Sequence, residues 1–237
     1  MTSHTAARRN DLPSFLSAGA ALLAIAALLT GRPLAAGGLA LLAVAAGVAA
    51  RGVSQRNPKP MPYSMRWVLY LPRWPLTANR LRTILEPRPG ERLLEIGPGV
   101  GIYALPIAAA VAPGGAVDAL DVQPEMLGVL RQRAVAAGVT NIADAVGDAQ
   151  QLAYADASVD AVYLIGVLGE IPDPARALRE FRRVLKPDGR LVIGEALLGD
   201  PDAVRLSVLR GMAEQAGFAF ERRLGPPVAF FARFRPI

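Results

Sequence analysis

A chain of 237 residues with 52% apolar side chains, one histidine and no cysteine allows one sizeable domain plus an appendage. Without cysteine there is no disulfide framework and no thiolate metal site, and His4 alone builds neither a histidine metal centre nor a Ser-His-Asp triad, so no metal is expected. The net charge of +6 is uneven: residues 1–90 hold 11 Lys/Arg against Asp11 and Glu86 (+9), and residues 91–237 hold 15 against 18 (−3), which argues against a nucleic-acid face and for a membrane surface.

Residues 12–31 and 34–50 are two charge-free runs separated by Arg32-Pro33. As helices each would extend roughly 26–30 Å, about one hydrocarbon core. The reading is a transmembrane hairpin within residues 1–56, with small residues such as Gly37, Gly38, Ala45 and Gly47 at the helix contact. Arg8 and Arg9 before it and Arg51, Arg56 and Lys59 after it place both ends on the cytoplasmic side of the inner (plasma) membrane. A cleaved signal peptide and a soluble alanine-rich hairpin are the alternatives.

Residues 57–76, "NPKPMPYSMRWVLYLPRWPL", hold five prolines, which exclude a long helix. Arg66, Trp67, Tyr70, Arg73 and Trp74 mix cations with amphipathic rings, the chemistry of a headgroup-level belt. A linker packing its aromatics on the next domain is the plainer reading, and both can hold.

From residue 77 to 237 the pattern alternates. Thr77 caps a helix over "ANRLRTILE", and strand "RLLEI" (92–96) leads to helix 102–112. Strand 116–121, helix 124–138, strands 142–147 and 159–165, and helix 173–186 follow. Pro187-Asp188-Gly189 reads as a turn into strand 190–195, then helix 201–216. "FAFERRL" and "VAFFARF", joined through Gly225-Pro226-Pro227, read as an antiparallel pair. The class is α/β, a Rossmann-like doubly wound sheet, mostly parallel, with a C-terminal antiparallel hairpin.

"LLEIGPGVGIY" (93–103) is the stretch that carries chemistry. A strand ending in a glycine loop that feeds a helix brings backbone N–H groups to a ligand. The dinucleotide fingerprint G-x-G-x-x-G/A requires a small residue at position 102, where Ile102 stands, and Glu95 would repel a pyrophosphate. A cofactor with a cationic end suits Glu95 better. Asp121 ends the second strand twenty residues after Gly101, the spacing of an acid beside a ribose diol, and Asp148 follows the third strand.

"LLEIGPGVG", "ALDVQPEML", "VGDAQQLAYADASVDAVYL" and "ALREFRRVLKPDGRLVIGE" resemble, in order, the motifs of class I S-adenosylmethionine-dependent methyltransferases, most closely the ubiquinone/menaquinone-biosynthesis methyltransferase family. The resemblance covers about residues 77–237 and implies S-adenosylmethionine as cofactor. By position, it places Glu95 near the methionine amino group, with Gly97, Gly99 and Gly101 beneath the methionine and ribose. Asp121 would hold the ribose hydroxyls and Val122 would pack on adenine. Asp148 would accept from the adenine amine, with the Ala149 N–H nearby. Ile165 and Gly166 would face the transferred methyl. Tyr103 is divided between a contact to the cofactor's carboxylate and plain packing, and Tyr154 is expected to pack.

After the fourth strand this chain departs from relatives that carry a polar or histidine-containing segment: "GVLGEIPDP" offers Glu170 alone before Asp173. Glu170 is therefore the one general-base candidate, against helix capping or surface exposure. The expected activity is methyl transfer to a lipidic or small-molecule acceptor, such as an isoprenoid quinone precursor. A phospholipid amine or a soluble metabolite is the alternative, and a non-catalytic scaffold the third class. The membrane and the acceptor are the expected partners, without nucleic acid; nothing in the sequence fixes an oligomeric state.

Overall fold

The computed structural model describes residues 58–197 and 200–237 together with Gly38, Leu39, Leu41, Leu42, Ala45, Val48, Ala49 and Gly52, which are helical. Lys59–Ile237 is one compact unit and Met1–Pro58 another. The run 12–31 and much of 34–50 lie outside the described residues; among those described, no helix is long and apolar enough to cross a membrane.

The larger unit is built on strands β1 (Arg92–Ile96), β2 (Ala116–Asp121), β3 (Ile142–Val146), β4 (Val159–Ile165), β5 (Leu185–Ala196), β6 (Phe218–Leu224) and β7 (Ala229–Pro236). They form one sheet in the order β3-β2-β1-β4-β5-β7-β6, parallel up to β5 and antiparallel through β7 and β6. The strand order reverses direction between β1 and β4, the switch point outside which ligands bind in such sheets. The five helices are α1 (Ala78–Leu85), α2 (Ala104–Val111), α3 (Pro124–Ala136), α4 (Pro174–Val184) and α5 (Leu206–Gln215).

Both faces are covered, which is why the central strands read as nearly unbroken apolar runs. On one face Leu93, Val117, Ala161 and Tyr163 pack on Leu81, Ile84, Ile107 and Leu130 from α1, α2 and α3. On the other, Leu94, Ile96, Val162, Leu164, Leu191 and Ile193 pack on Leu178, Phe181 and Leu209 from α4 and α5.

Local chemistry sets the element ends. The Thr77 side chain accepts from the Arg80 N–H and starts α1; Asp173 accepts from the Arg176 N–H and starts α4, with Pro174 at its first position. Buried Arg190 ties α1 to the sheet, donating to the Leu85 and Glu86 carbonyls and pairing with Glu91 at 2.6 Å.

Two boundaries differ from the sequence reading by more than two residues. α4 ends at Val184, and Pro187-Asp188-Gly189 lies inside β5 as an excursion: Val159 pairs with Leu185, and Ala161 already with Arg190. The last helix begins at Leu206 and not at 201, although Pro201 resembles a first-turn proline. Asp200 takes the local backbone for itself, its Oδ1 accepting from the Asp202 N–H at 2.9 Å, so residues 200–205 form a loop.

The proline-aromatic segment belongs to the compact unit as a strap. Tyr63–Tyr70 is a 3-10 helix, a form that suits a short stretch between prolines. Trp67 and Trp74 are 59% and 77% exposed, and Tyr70 and Leu71 are also exposed.

Candidate active site

β1 delivers the chain into the glycine loop at the switch point. Gly97, Gly99 and Gly101 adopt φ of +63°, +52° and +77°, backbone that a side chain strains. A Cβ on Gly97 would also stand 2.6 Å from Val167 Cγ2. The loop is held from the neighbouring strand: the Gly97 N–H donates to the Leu120 carbonyl at 2.8 Å. Tyr103 precedes α2 and is buried, its hydroxyl donating to the Leu76 carbonyl at 2.7 Å. The strap therefore ends directly on the loop, and Leu69 rests on its middle, 3.0 Å from where a Gly99 Cβ would stand.

The carboxylates gather around this loop. Glu95 is fully buried and accepts from the Tyr163 hydroxyl at 2.9 Å. Burial pushes its carboxyl up to about 8, with Asp121's charge adding to that and the Tyr163 hydrogen bond opposing it. Asp121 ends β2, and its oxygens accept from the Gly99 N–H at 3.1 Å and the Gln123 N–H at 2.9 Å. Burial raises it and those backbone donors hold it down. The Val122 N–H also bonds to it, so three backbone donors leave the pair of oxygens about one lone-pair direction for a ligand hydroxyl. Val122 beside it is 50% exposed. Asp148 is exposed and bound to its own loop, accepting from the Gln150 N–H at 2.8 Å. Ala149 is buried and packs with the core on the α4/α5 face.

Residues 94–193 match the family model described as a methyltransferase domain. The chain carries a methyltransferase domain. Over 114 residues it is 32% identical to Nocamycin O-methyltransferase of Saccharothrix syringae, covering 48% of this chain and 41% of that protein. Over 109 residues it is 31% identical to Demethylmenaquinone methyltransferase of Bacillus cytotoxicus, covering 46% of each. The chain thus spans less than half the length of these curated relatives. The fold is that of a SAM-dependent methyltransferase from Aquifex aeolicus, with a TM-score of 0.69, 21% identity and coverage of 75% of this chain and all of that one. The cofactor that this domain implies is S-adenosylmethionine. The residues fit it: a cradle of positive-φ glycines with no room for a Cβ at Gly97, an acid at the end of β2, and a buried acid two residues before the loop.

Beyond the ends of β4 and β5 lies a second set of acids. Ile165 ends β4, followed by Gly166 at φ +66° and Val167 over Gly97. Glu170 closes the 3-10 turn Leu168–Glu170, and burial pushes it up to about 8, with the charge of Asp200 adding to that. Sequence reasoning missed its two companions. Glu195, at the end of β5, is 0% exposed. Its Oε2 accepts from the Val204 N–H at 3.2 Å, while its Oε1 has no partner. Asp200, in the following loop, is raised to about 6, first by burial, and its Oδ2 lies 3.5 Å from where a Gly166 Cβ would stand. The available signal was "VIGE", which ends a central strand on an acid as "LLEI" places Glu95.

Met61 of the strap links the two sets of acids. Its carbonyl accepts from Gln123 Nε2 at 2.9 Å, next to Asp121, and its backbone also bonds to Glu170. Arg73 is the cation acting on both Tyr103 and Asp200. Among the described residues, no group of three or more acids or histidines is arranged to hold a metal ion.

Proposed function

We propose that this protein transfers a methyl group from S-adenosylmethionine to a lipidic or small-molecule acceptor, and that residues 1–56 hold it at the inner membrane with the catalytic unit on the cytoplasmic side. The glycine loop flanked by Glu95 and Asp121 carries the reading. When bound, S-adenosylmethionine supplies an electrophilic methyl on a sulfonium whose leaving group is a neutral thioether. The chain's own share is alignment and exclusion of water. Glu95 would receive the ammonium of the methionine moiety, Asp121 would hold the ribose hydroxyls, Val122 would offer an apolar face to adenine, and Asp148 and Ala149 would meet its amine. The strap, with Leu69 on Gly99, shields the reacting centre.

The lipidic character of the acceptor is supported by what surrounds the cleft. The strap exposes Trp67, Tyr70, Leu71 and Trp74, and the chain carries two charge-free runs before it. Aromatic rings with adjacent arginines suit the headgroup layer. The likeness to Demethylmenaquinone methyltransferase supports a quinone precursor as one acceptor class. The test is incorporation of radiolabelled methyl into a total lipid extract against a soluble metabolite extract. Label in the lipid fraction is the expected result, and label confined to the soluble fraction would replace a lipid acceptor with a soluble one.

A further inference from the structure

Glu170, Glu195 and Asp200 come from three places: the turn after β4, the end of β5 and the loop beyond it. They act on one another, since Glu170 is raised by Asp200 and Asp121, and Glu195 by Asp200, Glu170 and Asp202. Facing the same groups are the Met61 backbone at Glu170, the Val204 N–H at Glu195, and Arg73 at Asp200. Arg73 stands against five carboxyls, Glu170, Glu195, Asp200, Asp202 and Asp121. The second observation is independent of their number: fully buried Glu195 points along the face of Leu191 and Ile193 toward this cluster, with Oε1 unpartnered. An orphaned buried carboxyl oxygen costs free energy unless a donor meets it or a proton neutralises it.

Resting on the methyl-transfer reading above, we propose that these three carboxyls form the acceptor site for a primary or secondary amine, with Glu170 as the base that deprotonates the bound ammonium. Sign and donors both point there. A phenolate, carboxylate or phosphate at this position would add an anion to a group of acids. An ammonium brings only donors, up to three N–H bonds on one centre, which carboxylates from three elements can share. The cofactor's own charge is matched by Glu95 and Asp121 at the other end of the cleft. Asp200, against Gly166, puts the site beside the end of β4, where the methyl is expected.

The proton balance is closed. Glu170 takes one proton from the bound ammonium, breaking an N–H bond and forming an O–H bond. The lone pair left on nitrogen forms the N–C bond to the methyl, whose former bonding pair leaves on sulfur. The products are a methylammonium and a neutral thioether. Burial, with the charges of Asp200 and Glu170 adding to it, pushes the Glu195 carboxyl well above the usual range, which disfavours a third charge beside Glu170 and Asp200 while the site is empty.

Three measurements on the full-length protein test this. Calorimetry on the protein saturated with the demethylated cofactor is expected to show octylamine binding at least about tenfold tighter than octanol, a preference of about 1.4 kcal/mol, and Glu170→Gln abolishing the difference; equal affinities in the wild type would overturn the proposal. Radiolabelled methyl transferred in a total membrane extract is expected in a product retained by a cation exchanger. A neutral product would sink the amine proposal and leave methyl transfer standing, whereas no labelled product at all would sink methyl transfer itself. Glu170→Gln should lower kcat by about 10²–10⁴-fold and remove the rising alkaline limb of the rate, with S-adenosylmethionine affinity unchanged. An unchanged pH profile would overturn the assignment of Glu170 as base.

Discussion

Tyr163 donates to Glu95 over 2.9 Å at directly opposed positions of neighbouring parallel strands. It is the one bond from protein to this buried carboxyl that favours its charged form, and burial overrides it. The acid proposed to receive the cationic end of the cofactor, pushed up to about 8, is therefore largely protonated at neutral pH without ligand.

The folded carboxyl titrates near 8 and the unfolded one near 4.5, so between them the folded chain holds a proton that the unfolded chain has lost. Stability without cofactor then falls as pH rises through that window. Glu95→Gln is expected to raise Tm at about pH 8 and to leave it unchanged near pH 4. S-adenosylmethionine binding releases a proton, so wild-type affinity climbs with pH by up to about tenfold per unit until about 8. Calorimetry in buffers of different ionisation enthalpy measures that proton, and a binding heat independent of buffer would refute the linkage.

Asp121→Ala removes the acceptor for Gly99 and Gln123 together with any ribose contact. The expected loss of S-adenosylmethionine affinity is about 1.5–3 kcal/mol. Asp121→Asn keeps one acceptor oxygen and should lose less. A dissociation constant unchanged in Asp121→Ala would show that the ribose is held elsewhere.

Gly97→Ala combines a positive φ with a Cβ 2.6 Å from Val167. The backbone term costs about 1–2 kcal/mol, and the clash adds to it. Adding Val167→Ala removes the clash and not the φ strain, so the double variant should recover only part of the lost Tm. Full recovery would show that φ at this glycine is not strained by a side chain.

A protein cut to begin at Lys59 keeps the whole compact unit. It is expected to bind S-adenosylmethionine like the full chain and to methylate a short water-soluble acceptor analogue. Activity on vesicle-borne acceptor should fall, because tethering raises local concentration without any new contact. Equal vesicle rates for the two proteins would remove the membrane-delivery role of residues 1–56.

The strand–helix alternation and the glycine loop were legible because they rest on local signals: apolar runs bounded by glycine, and acids at strand ends. Helix α5 was read as starting five residues too early because Pro201 fits a first helical turn as well as it fits a loop; the Asp200 side chain, bonding to the Asp202 N–H, decides. The excursion at Lys186–Gly189 was hidden because a turn sequence says nothing about whether the chain rejoins the same strand. Tyr163 and Glu95 are 68 residues apart, and Glu170, Glu195 and Asp200 lie on separate elements, so their meeting depends on parallel register and on the path of a loop. No window of sequence contains it.

One residue of the strap, Met61, touches Gln123 at the proposed cofactor end and Glu170 at the proposed acceptor end. A molecule leaving either end must loosen the same residue, so the two ligands do not exchange independently. The expected kinetic pattern is compulsory order, with the spent cofactor last to leave and its departure setting the steady-state rate. A pre-steady-state burst of methylated product, abolished when Gln123→Ala frees one end of Met61, is the time course that such a latch produces.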